Sequence, residues 1–196
     1  MELTLDMNRQ YTYADYLQWL DDKRRELING FIRIMSSPAT THARVTIDLS
    51  TTLYNFIKRH SGKCKVFAAP FDVRLPKNGE KDDNKIFSVV QPDIVVVCDP
   101  SKIDEKGCLG APDMVVEVLS PDTRKYDLND KFNLYEASGV KEYWTVEPFE
   151  KDVIVIVFLL QEDGRYAEGV IYRSGTKIPV QTLPGLEVDT DELVAL

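Results

Sequence analysis

Two acidic residues and one lysine stand out because their neighbours in the chain are apolar. Asp93 follows a proline at the head of the apolar run 92–97, and Glu117 lies inside the run 112–119. Lys131 follows on a segment with helical spacing. A carboxylate inside an apolar strand costs free energy unless it is paired, hydrogen-bonded or bound to a cation. Asp93 and Glu117 could therefore hold a divalent cation together, with Lys131 beside it.

Glu117 lies on a strand that the sequence predicts to be central. Alternation places Val115, Glu117 and Leu119 on one face, and both faces of this strand are apolar. Glu117 is then either a structural carboxylate paired with Arg or Lys, or a residue at the base of a cleft. Asp93 has an alternative role too, as a turn residue at the start of a strand, where Pro-Asp is common. Asp113 stands in the same dipeptide before the next strand.

Lys131 lies on the predicted inner face of a helix. Leu128, Lys131, Phe132 and Tyr135 share one face by their spacing, so the lysine lies in the stripe that should meet the sheet. The alternative is a lysine at the edge of the stripe whose ammonium reaches water. Asp127 stands where the residue that caps the helix N-terminus is expected.

The elements that position these residues follow from apolar periodicity and turn signals. They are a helix over 11–20 capped by Thr12, an Asn-Gly hairpin over 26–35, a helix over 42–60, a strand over 65–75 broken at Pro70, strands over 92–98 and 113–119, a helix over 126–137, a strand over 142–146, and strands over 153–160 and 165–172. Strands followed by a crossover helix and a further strand predict a mixed sheet with helices packed on it. The tail over 183–189 is short and turn-rich.

Length and composition favour a soluble globular protein. We expect residues 1–196 to form one domain, and the 43% hydrophobic and 29% charged content is typical of that class. The first residues show no basic stretch followed by an apolar core, so no signal peptide is expected. The longest apolar run, 153–160, has eight residues, far short of the ~20 that span a bilayer.

The cysteines predict neither a zinc site nor a disulfide framework. The chain has an odd number of cysteines, three, and none are in CxxC spacing: Cys64, Cys98 and Cys108. Cys98 ends an apolar strand, where we expect a small buried hydrophobic residue. A reducing, cytoplasmic compartment is the resulting expectation.

The net charge of −8 disfavours non-specific binding to nucleic acid. It does not exclude an enzyme that acts on nucleic acid through a local basic rim and a metal ion. It mildly favours an interaction domain whose acidic surface binds protein.

Several blocks of the sequence together resemble the Uma2 family, formerly DUF820. They are Glu26-Leu27-Ile28-Asn29-Gly30, Pro92-Asp93, the block 117–123, Asp127 with Lys131, Tyr135, the block 139–144 and Leu183-Pro184-Gly185-Leu186. The likeness covers nearly the whole chain in the same order. Uma2 proteins belong to the PD-(D/E)XK nuclease superfamily. The resemblance thus implies an α/β (α+β) fold with a restriction-endonuclease-like mixed central sheet of αβββαβ order, flanking helices, an N-terminal helix and hairpin, and a C-terminal β-hairpin.

The resemblance also implies catalytic roles. In the superfamily an acid pair binds Mg²⁺ or a similar ion, and a lysine assists the attacking water. Asp93 would be the first acid and Glu117 the second. Leu119 occupies the position where the lysine normally stands, so the lysine would have moved to the helix as Lys131. Glu26 would be a further metal ligand, or alternatively an edge-strand surface acid.

Other residues match positions around the family's site. His42 and Asp72 are expected near it together with Asp127 and Tyr135, although a single His near a helix start is more often a cap or a surface residue. Asp72 is expected close to Asp93 on a neighbouring strand. Asp122 and Arg124 lie in the turn that could rim the site, and Arg124 and Lys125 are expected to contact substrate phosphates.

The predicted activity is metal-dependent hydrolysis of nucleic-acid phosphodiester bonds by an endonuclease. Carboxylates suit Mg²⁺ or Mn²⁺, which prefer oxygen ligands. The expected partners are nucleic acid, with DNA favoured, and a second copy of the chain in a homodimer; no membrane is expected. The alternative is an inactive or weakly active module on the same fold that binds nucleic acid or protein.

Overall fold

The computed structural model describes residues 5–35, 37–60, 62–121 and 124–194. Its helices are α1 (Tyr13–Tyr16), α2 (Thr40–Arg59), α3 (Arg124–Tyr126) and α4 (Phe132–Ser138), and a π-helical turn (Asp127–Lys131) joins the last two. Its strands are β1 (Arg25–Ile28), β2 (Phe31–Ile34), β3 (Lys65–Ala68), β4 (Val73–Arg74), β5 (Val89–Val90), β6 (Ile94–Val97), β7 (Ile103–Asp104), β8 (Gly107–Leu109), β9 (Met114–Val118), β10 (Glu142–Pro148), β11 (Val153–Leu159), β12 (Val170–Arg173), β13 (Lys177–Pro179) and β14 (Glu187–Asp189).

A six-stranded mixed sheet forms the core, with the strand order β12-β11-β10-β9-β6-β3. β9 pairs with β6 in antiparallel and with β10 in parallel orientation. The segment from α2 to β10 therefore has the αβββαβ order around a mixed central sheet that the sequence predicted. The helical segment from α3 to α4 is the crossover between the parallel strands β9 and β10.

Both faces of β9 are buried, which confirms the prediction that this strand is central. On one face Met114, Val116 and Val118 pack in a cluster with Leu49 and Leu53 of α2. On the other face Val115 packs with buried tyrosines of α4 and β10. α2 buries only one stripe, and no helix in the described ranges is long and apolar enough to cross a bilayer.

A second sheet of short strands covers one end of the core, in the order β2-β1-β5-β4-β8-β7. The predicted hairpin is confirmed: Asn29 and Gly30 both have positive φ, 51° and 86°, as a two-residue turn between twisted strands requires. Its register places Glu26 opposite Arg33. Thr12 caps α1 through a reciprocal hydrogen-bond pair with Asp15, as predicted.

Several predicted boundaries were wrong. α1 has only four residues, because the chain after it turns to begin β1. The hairpin β7–β8 forms within the stretch predicted to be a loop, and β13–β14 forms within the turn-rich tail. These strands are two or three residues long, too short for alternation to be visible in the sequence.

The prediction that Cys98 is only a small buried hydrophobic residue was also wrong. Cys64 and Cys98 are bonded, while Cys108 is free and buried. Lys65 pairs with Val97 in the ladder between β3 and β6, so the two cysteines lie opposite each other one step further. Their separation of 34 residues hid this pairing from the sequence. The cytoplasmic location was inferred partly from free cysteines, and it stays a prediction.

Candidate active site

A pocket of about 420 Å³ lies between the β1–β2 hairpin, the ends of β6 and β9, and the π turn. It is lined by Met7, Glu26, Ile32, Arg33, Ile34, Met35, Asp93, Glu117, Val118, Tyr126, Asp127 and Lys131. The residues that the sequence singled out first, Asp93, Glu117 and Lys131, thus line one cavity. Three separate parts of the fold contribute to it.

Asp93 stands directly before β6 and is fixed across the strand pair. Its Oδ2 accepts a hydrogen bond from the backbone N–H of Val118 at 2.8 Å. The same oxygen lies 3.0 Å from Nε2 of His42, near the start of α2. These contacts hold the carboxylate at the end of β9, next to Glu117. No hydrogen bond reaches Oδ1 from the residues that the structure describes, so this oxygen can accept a ligand.

Glu117 is almost completely buried, with 4% of its side chain exposed. Its Oε1 accepts hydrogen bonds from Lys131 Nζ at 2.9 Å and from Tyr135 Oη at 2.6 Å. Burial raises the pKa of Glu117; the Lys131 ammonium lowers it, but nearby carboxylates, chiefly Asp127 and Asp93, raise it further, and the result is well above the ordinary range. Within the described ranges, Oε2 accepts no hydrogen bond and is available to a cation.

Lys131 lies in a nest of carboxylates. Its Nζ is 2.9 Å from Glu117, 3.0 Å from Glu26 and 3.7 Å from Asp127. Burial lowers the pKa of the ammonium, but the three carboxylates outweigh burial and hold the pKa well above its ordinary value. The carboxylates thus favour the cationic form of Lys131 in contact with Glu117, and its part in catalysis stays a prediction.

Glu26 is not an edge-strand surface acid, because it is 1% exposed. Its Oε1 accepts a hydrogen bond from the backbone N–H of Gln91 at 2.8 Å and forms an ion pair with Lys131 at 3.0 Å. Its Oε2 accepts a longer one from Tyr126 Oη at 3.3 Å. Glu26 thereby links the N-terminal hairpin to both the β5–β6 junction and the π turn.

The π turn determines which residues of the crossover helix face the pocket. A π turn takes one residue more than an α turn, so the residues before it are shifted by one position relative to regular α-helical periodicity. Asp127 consequently points inward, and Leu128, which the stripe predicted, is only partly buried. The expected capping role of Asp127 was wrong, because it lies inside the helical segment and is 3% exposed.

The remaining predicted residues lie around the pocket. His42 contacts Asp93, as described, and its other ring nitrogen is buried without a partner in the described ranges. Asp72 is not among the pocket-lining residues; its carboxylate accepts hydrogen bonds from Gln91, Tyr13 and Tyr16. Through Gln91 it is joined to Glu26 rather than to Asp93.

The two residues expected to contact phosphates do not line the pocket. Arg124 is exposed and forms an ion pair with Glu147 at 3.0 Å, and Lys125 is exposed beside it. Both lie on α3, immediately before the π turn. Asp122, expected at the rim, lies outside the described residues.

Three residues of the site received no role from the sequence. Gln91 supplies the N–H that holds Glu26, Tyr126 contacts Glu26, and Arg33 stacks over the Tyr126 ring at 4.3 Å. Arg33 could have been found, because the Asn-Gly turn fixes the register that sets it opposite Glu26. Tyr126 could not, because its inward orientation depends on the π turn.

The donor set fits a hard divalent cation held by two carboxylates. Four carboxylates line the pocket against two cationic side chains, Lys131 and Arg33, so an added cation would offset excess negative charge. Mg²⁺ keeps several waters and is commonly bound through one or two carboxylates. Asp93 Oδ1 and Glu117 Oε2 meet that need. Within the described ranges, no three His, Cys, Asp or Glu side chains gather as ligands of one ion, so the set of Glu26, Asp93 and Glu117 is not preassembled.

Comparisons with known proteins agree with this fold. The chain matches the Uma2 family, described as "Putative restriction endonuclease", over residues 13–191. A solved chain described as "a putative nuclease belonging to DUF820", from Anabaena variabilis, superposes with a TM-score of 0.73 at 20% identity, covering 93% of this chain and 97% of that one.

Two cyanobacterial relatives from Synechocystis sp. are also similar in sequence. "Uncharacterized protein slr1290" is 30% identical over 62% of this chain and 60% of its own length. "Uncharacterized protein sll1609" is 24% identical over 70% of this chain and 75% of its own length. The first alignment therefore spans less than two thirds of that relative.

The fold is that of a restriction-endonuclease-like protein. The chain is a member of the Uma2 family.

Proposed function

We propose that this protein is a metal-dependent endonuclease that hydrolyses phosphodiester bonds of nucleic acid at the pocket of Asp93, Glu117 and Lys131. The observation that carries the proposal is the contact of the Lys131 ammonium with Glu117. The next residue of the same strand, Val118, donates its backbone N–H to Asp93. Two acids and one cation thus converge although Leu119 occupies the usual lysine position.

Each residue has a distinct part in this proposal. Asp93 and Glu117 hold the ion through the oxygens that the protein leaves free. When bound, Mg²⁺ or Mn²⁺ would polarise a phosphoryl oxygen and lower the pKa of a bound water. Lys131 stabilises the negative charge that develops at the phosphate, as a preorganised cation in a buried site does.

Neighbouring residues fix the geometry of these groups. Tyr135 orients Glu117, and His42 orients Asp93, in the manner of partners that align metal ligands. Glu26 and Asp127 keep Lys131 charged and in place. Glu26 would be a further metal ligand through Oε2, whose one contact among the described residues is the 3.3 Å hydrogen bond from Tyr126.

We place the substrate backbone along α3, where Arg124 and Lys125 would contact flanking phosphates. DNA is the favoured nucleic acid, the assembly is a homodimer, and the protein acts in the cytoplasm as a single domain. The second candidate is a catalytically weak or inactive module on the same fold, and the net charge of −8 favours it.

Cleavage assays with matched variants test the function. Labelled DNA and RNA are incubated with Mg²⁺, Mn²⁺ or chelator, and the salt dependence is recorded with Arg124→Ala and Lys125→Ala. Asp93→Asn and Glu117→Gln should reduce cleavage on the order of 10²-fold or more. Lys131→Arg is preferable to Lys131→Met, because removing the ammonium leaves buried carboxylates uncompensated.

Asp113→Asn is the matched control. Asp113 also follows proline, leads a core strand and accepts a backbone N–H from the neighbouring strand, that of Cys98 at 2.7 Å, but it does not line the pocket. This variant should cleave like the wild type. The nuclease proposal fails if no substrate is cut with either metal, or if Asp93→Asn and Glu117→Gln cut as well as the wild type.

A further inference from the structure

The pocket has two walls of different chemistry. One wall carries the carboxylates and Lys131. The other is formed by the β2 side of the hairpin and the chain before α1, and its members Met7, Ile32, Ile34 and Met35 are apolar. Met7 and Ile34 are 47% and 58% exposed, whereas Ile32 is 7% exposed. Ile32 packs with Leu27 in a core cluster, so the accessible apolar surface of this wall is that of Met7 and Ile34 at the mouth.

We propose that the pocket takes an unpaired nucleotide, with its phosphate at the acid–lysine wall and its base against the apolar hairpin wall. The substrate class is then nucleic acid with a single-stranded, bulged or flapped segment, not an intact duplex. This inference rests on the proposed nuclease function, because it uses the same acids to locate the reacting phosphate.

The depth of the acids supports this substrate class. The side chains of Glu117, Lys131 and Asp127 are each at most 4% exposed, and even Asp93 is only 15% exposed. A reacting phosphate must enter the cavity to reach them. The volume of 420 Å³ is at the small end of the range of about 300–1,000 Å³ for pockets that hold one small ligand. It suits a nucleotide-sized group and not a length of double helix.

The apolar wall supports it independently. A duplex presents sugars and charged phosphates to a surface that lies along it, and its bases are stacked inside. Unpaired bases expose their faces, which bind apolar and aromatic side chains without regard to sequence. Met7 and Ile34 at the mouth are side chains that an unpaired base could cover.

Charge points in the same direction. The pocket holds four carboxylates against two cationic side chains, and the whole chain carries a net charge of −8. Attraction to an array of duplex phosphates is weak under these conditions. Contacts that do not depend on phosphate charge must then add to the few phosphate contacts, and base contacts supply them.

Arg33 adds a polar group on the face of β2 that it shares with Glu26, opposite to the face of Ile32 and Ile34. It is exposed, and its guanidinium lies 4.3 Å from the centroid of the Tyr126 ring. A stacked guanidinium is held flat and offers both a face for a base and N–H donors for a phosphate. Arg33 thus lies where the two halves of one nucleotide would meet.

The experiment compares one labelled sequence in three forms: a single strand, a full duplex, and a duplex with one unpaired bulge. Each form is made in DNA and in RNA, to show which nucleic acid supplies the unpaired nucleotide. Cleavage is measured with Mn²⁺, and binding by fluorescence anisotropy with Ca²⁺ in place of Mn²⁺. We expect the single strand and the bulge to bind and be cut at least about tenfold better than the duplex, the scale of one base-stacking contact.

Ile34→Thr tests the apolar wall while keeping a β-branched side chain on the strand. It should weaken binding of the single strand by about three- to tenfold and leave duplex binding unchanged. Ile47→Thr is the matched control: Ile47 is also 58% exposed, but it lies on α2 and does not line the pocket. This control should bind every form like the wild type.

The outcomes separate the two proposals. Binding that prefers unpaired strands and depends on Ile34, without any cleavage, would support this inference and overturn the nuclease function. Equal binding and cleavage of duplex and single strand would overturn this inference and leave the nuclease function standing. Equal loss in Ile34→Thr and Ile47→Thr would also overturn it, because the effect would not belong to the pocket.

Discussion

At the residue scale, Asp93 and Asp113 have the same backbone role at opposite ends of the β6–β9 pair. Asp93 precedes β6 and accepts a hydrogen bond from the backbone N–H of Val118 at the end of β9. Asp113 precedes β9 and accepts one from the backbone N–H of Cys98, directly after β6. Their surroundings differ: Lys141 contacts Asp113 at 2.7 Å, while Asp93 keeps one oxygen free toward a pocket rich in carboxylates. The Pro-Asp dipeptide thus has a structural role in both places. Asp93 is in addition a candidate metal ligand, because it lies beside Glu117.

The buried charge of Glu117 predicts a stability penalty in the metal-free protein. Burial raises the pKa of Glu117 above its ordinary value of 4.5. A carboxyl with a raised folded-state pKa contributes stability below its unfolded-state pKa and loses it as the pH rises through the folded-state pKa. Glu117→Gln should therefore melt at a higher temperature than the wild type at neutral pH, and the difference should shrink as the pH falls toward 4.5. Thermal unfolding at a series of pH values measures it.

Asp113→Asn should show the opposite sign in the same experiment. Burial raises the pKa of Asp113, but hydrogen bonds from Lys141 and Cys98 outweigh burial and hold the pKa below 3.8. Such a group contributes stability above its unfolded-state pKa and loses it as the pH falls through the folded-state pKa. This variant should melt at a lower temperature than the wild type at neutral pH. A Glu117→Gln variant that is less stable than the wild type at every pH would contradict the penalty.

At the element scale, the β1–β2 hairpin is the part that closes the pocket. It contributes Glu26 on one strand and the apolar wall on the other, and its register depends on the Asn29-Gly30 turn. Gly30 has a φ of +86°, and an added Cβ would lie 2.8 Å from Cβ of Gln10. The turn is therefore packed against the chain before α1, near Met7.

Gly30→Ala should destabilise the protein more than Gly164→Ala does. Both glycines have positive φ, which costs a substituted alanine about 1 kcal/mol. Gly164 has open space around it, whereas the contact with Gln10 adds an overpacking penalty of about 1–3 kcal/mol. Denaturant unfolding of both variants measures the difference. Equal losses in the free energy of unfolding would mean that the turn shifts away from Gln10 without an energetic penalty.

The elements differ in how far the sequence could predict them. The hairpin, α2 and the central strands follow from strong local signals, and with them Asp93, Glu117 and Lys131 are placed around one site. The π turn adds one residue to a helix without any sequence signal, so the inward position of Tyr126 was missed. Asp127, which the family resemblance placed near the site, was expected from spacing to cap the helix. The Cys64–Cys98 bond depends on the pairing of two distant strands, which periodicity does not reveal.

At the scale of the whole molecule, the site is assembled from both layers. The core sheet supplies Asp93 and Glu117, the crossover helix supplies Lys131, and the N-terminal sheet supplies Glu26 and the apolar wall. Glu26 is joined to both other parts by hydrogen bonds of 2.8 and 3.3 Å and by an ion pair of 3.0 Å with Lys131. Packing of the N-terminal sheet therefore both adds one of the carboxylates around Lys131 and closes the pocket.

The exposed edge of the core sheet predicts the homodimer. β12 is the last strand of the sheet and pairs only with β11 among the described strands. Its Val170 and Ile171 are 50% and 60% exposed, and an uncovered apolar edge strand is disposed to pair with another chain. A two-fold dimer, the commonest closed assembly, would cover it.

Light scattering should give about twice the chain mass of 22.4 kDa, and Ile171→Lys should give the single-chain mass. Ile47→Lys, equally exposed on α2, should leave the dimer intact; a wild-type mass of 22.4 kDa at micromolar concentration would reject the dimer.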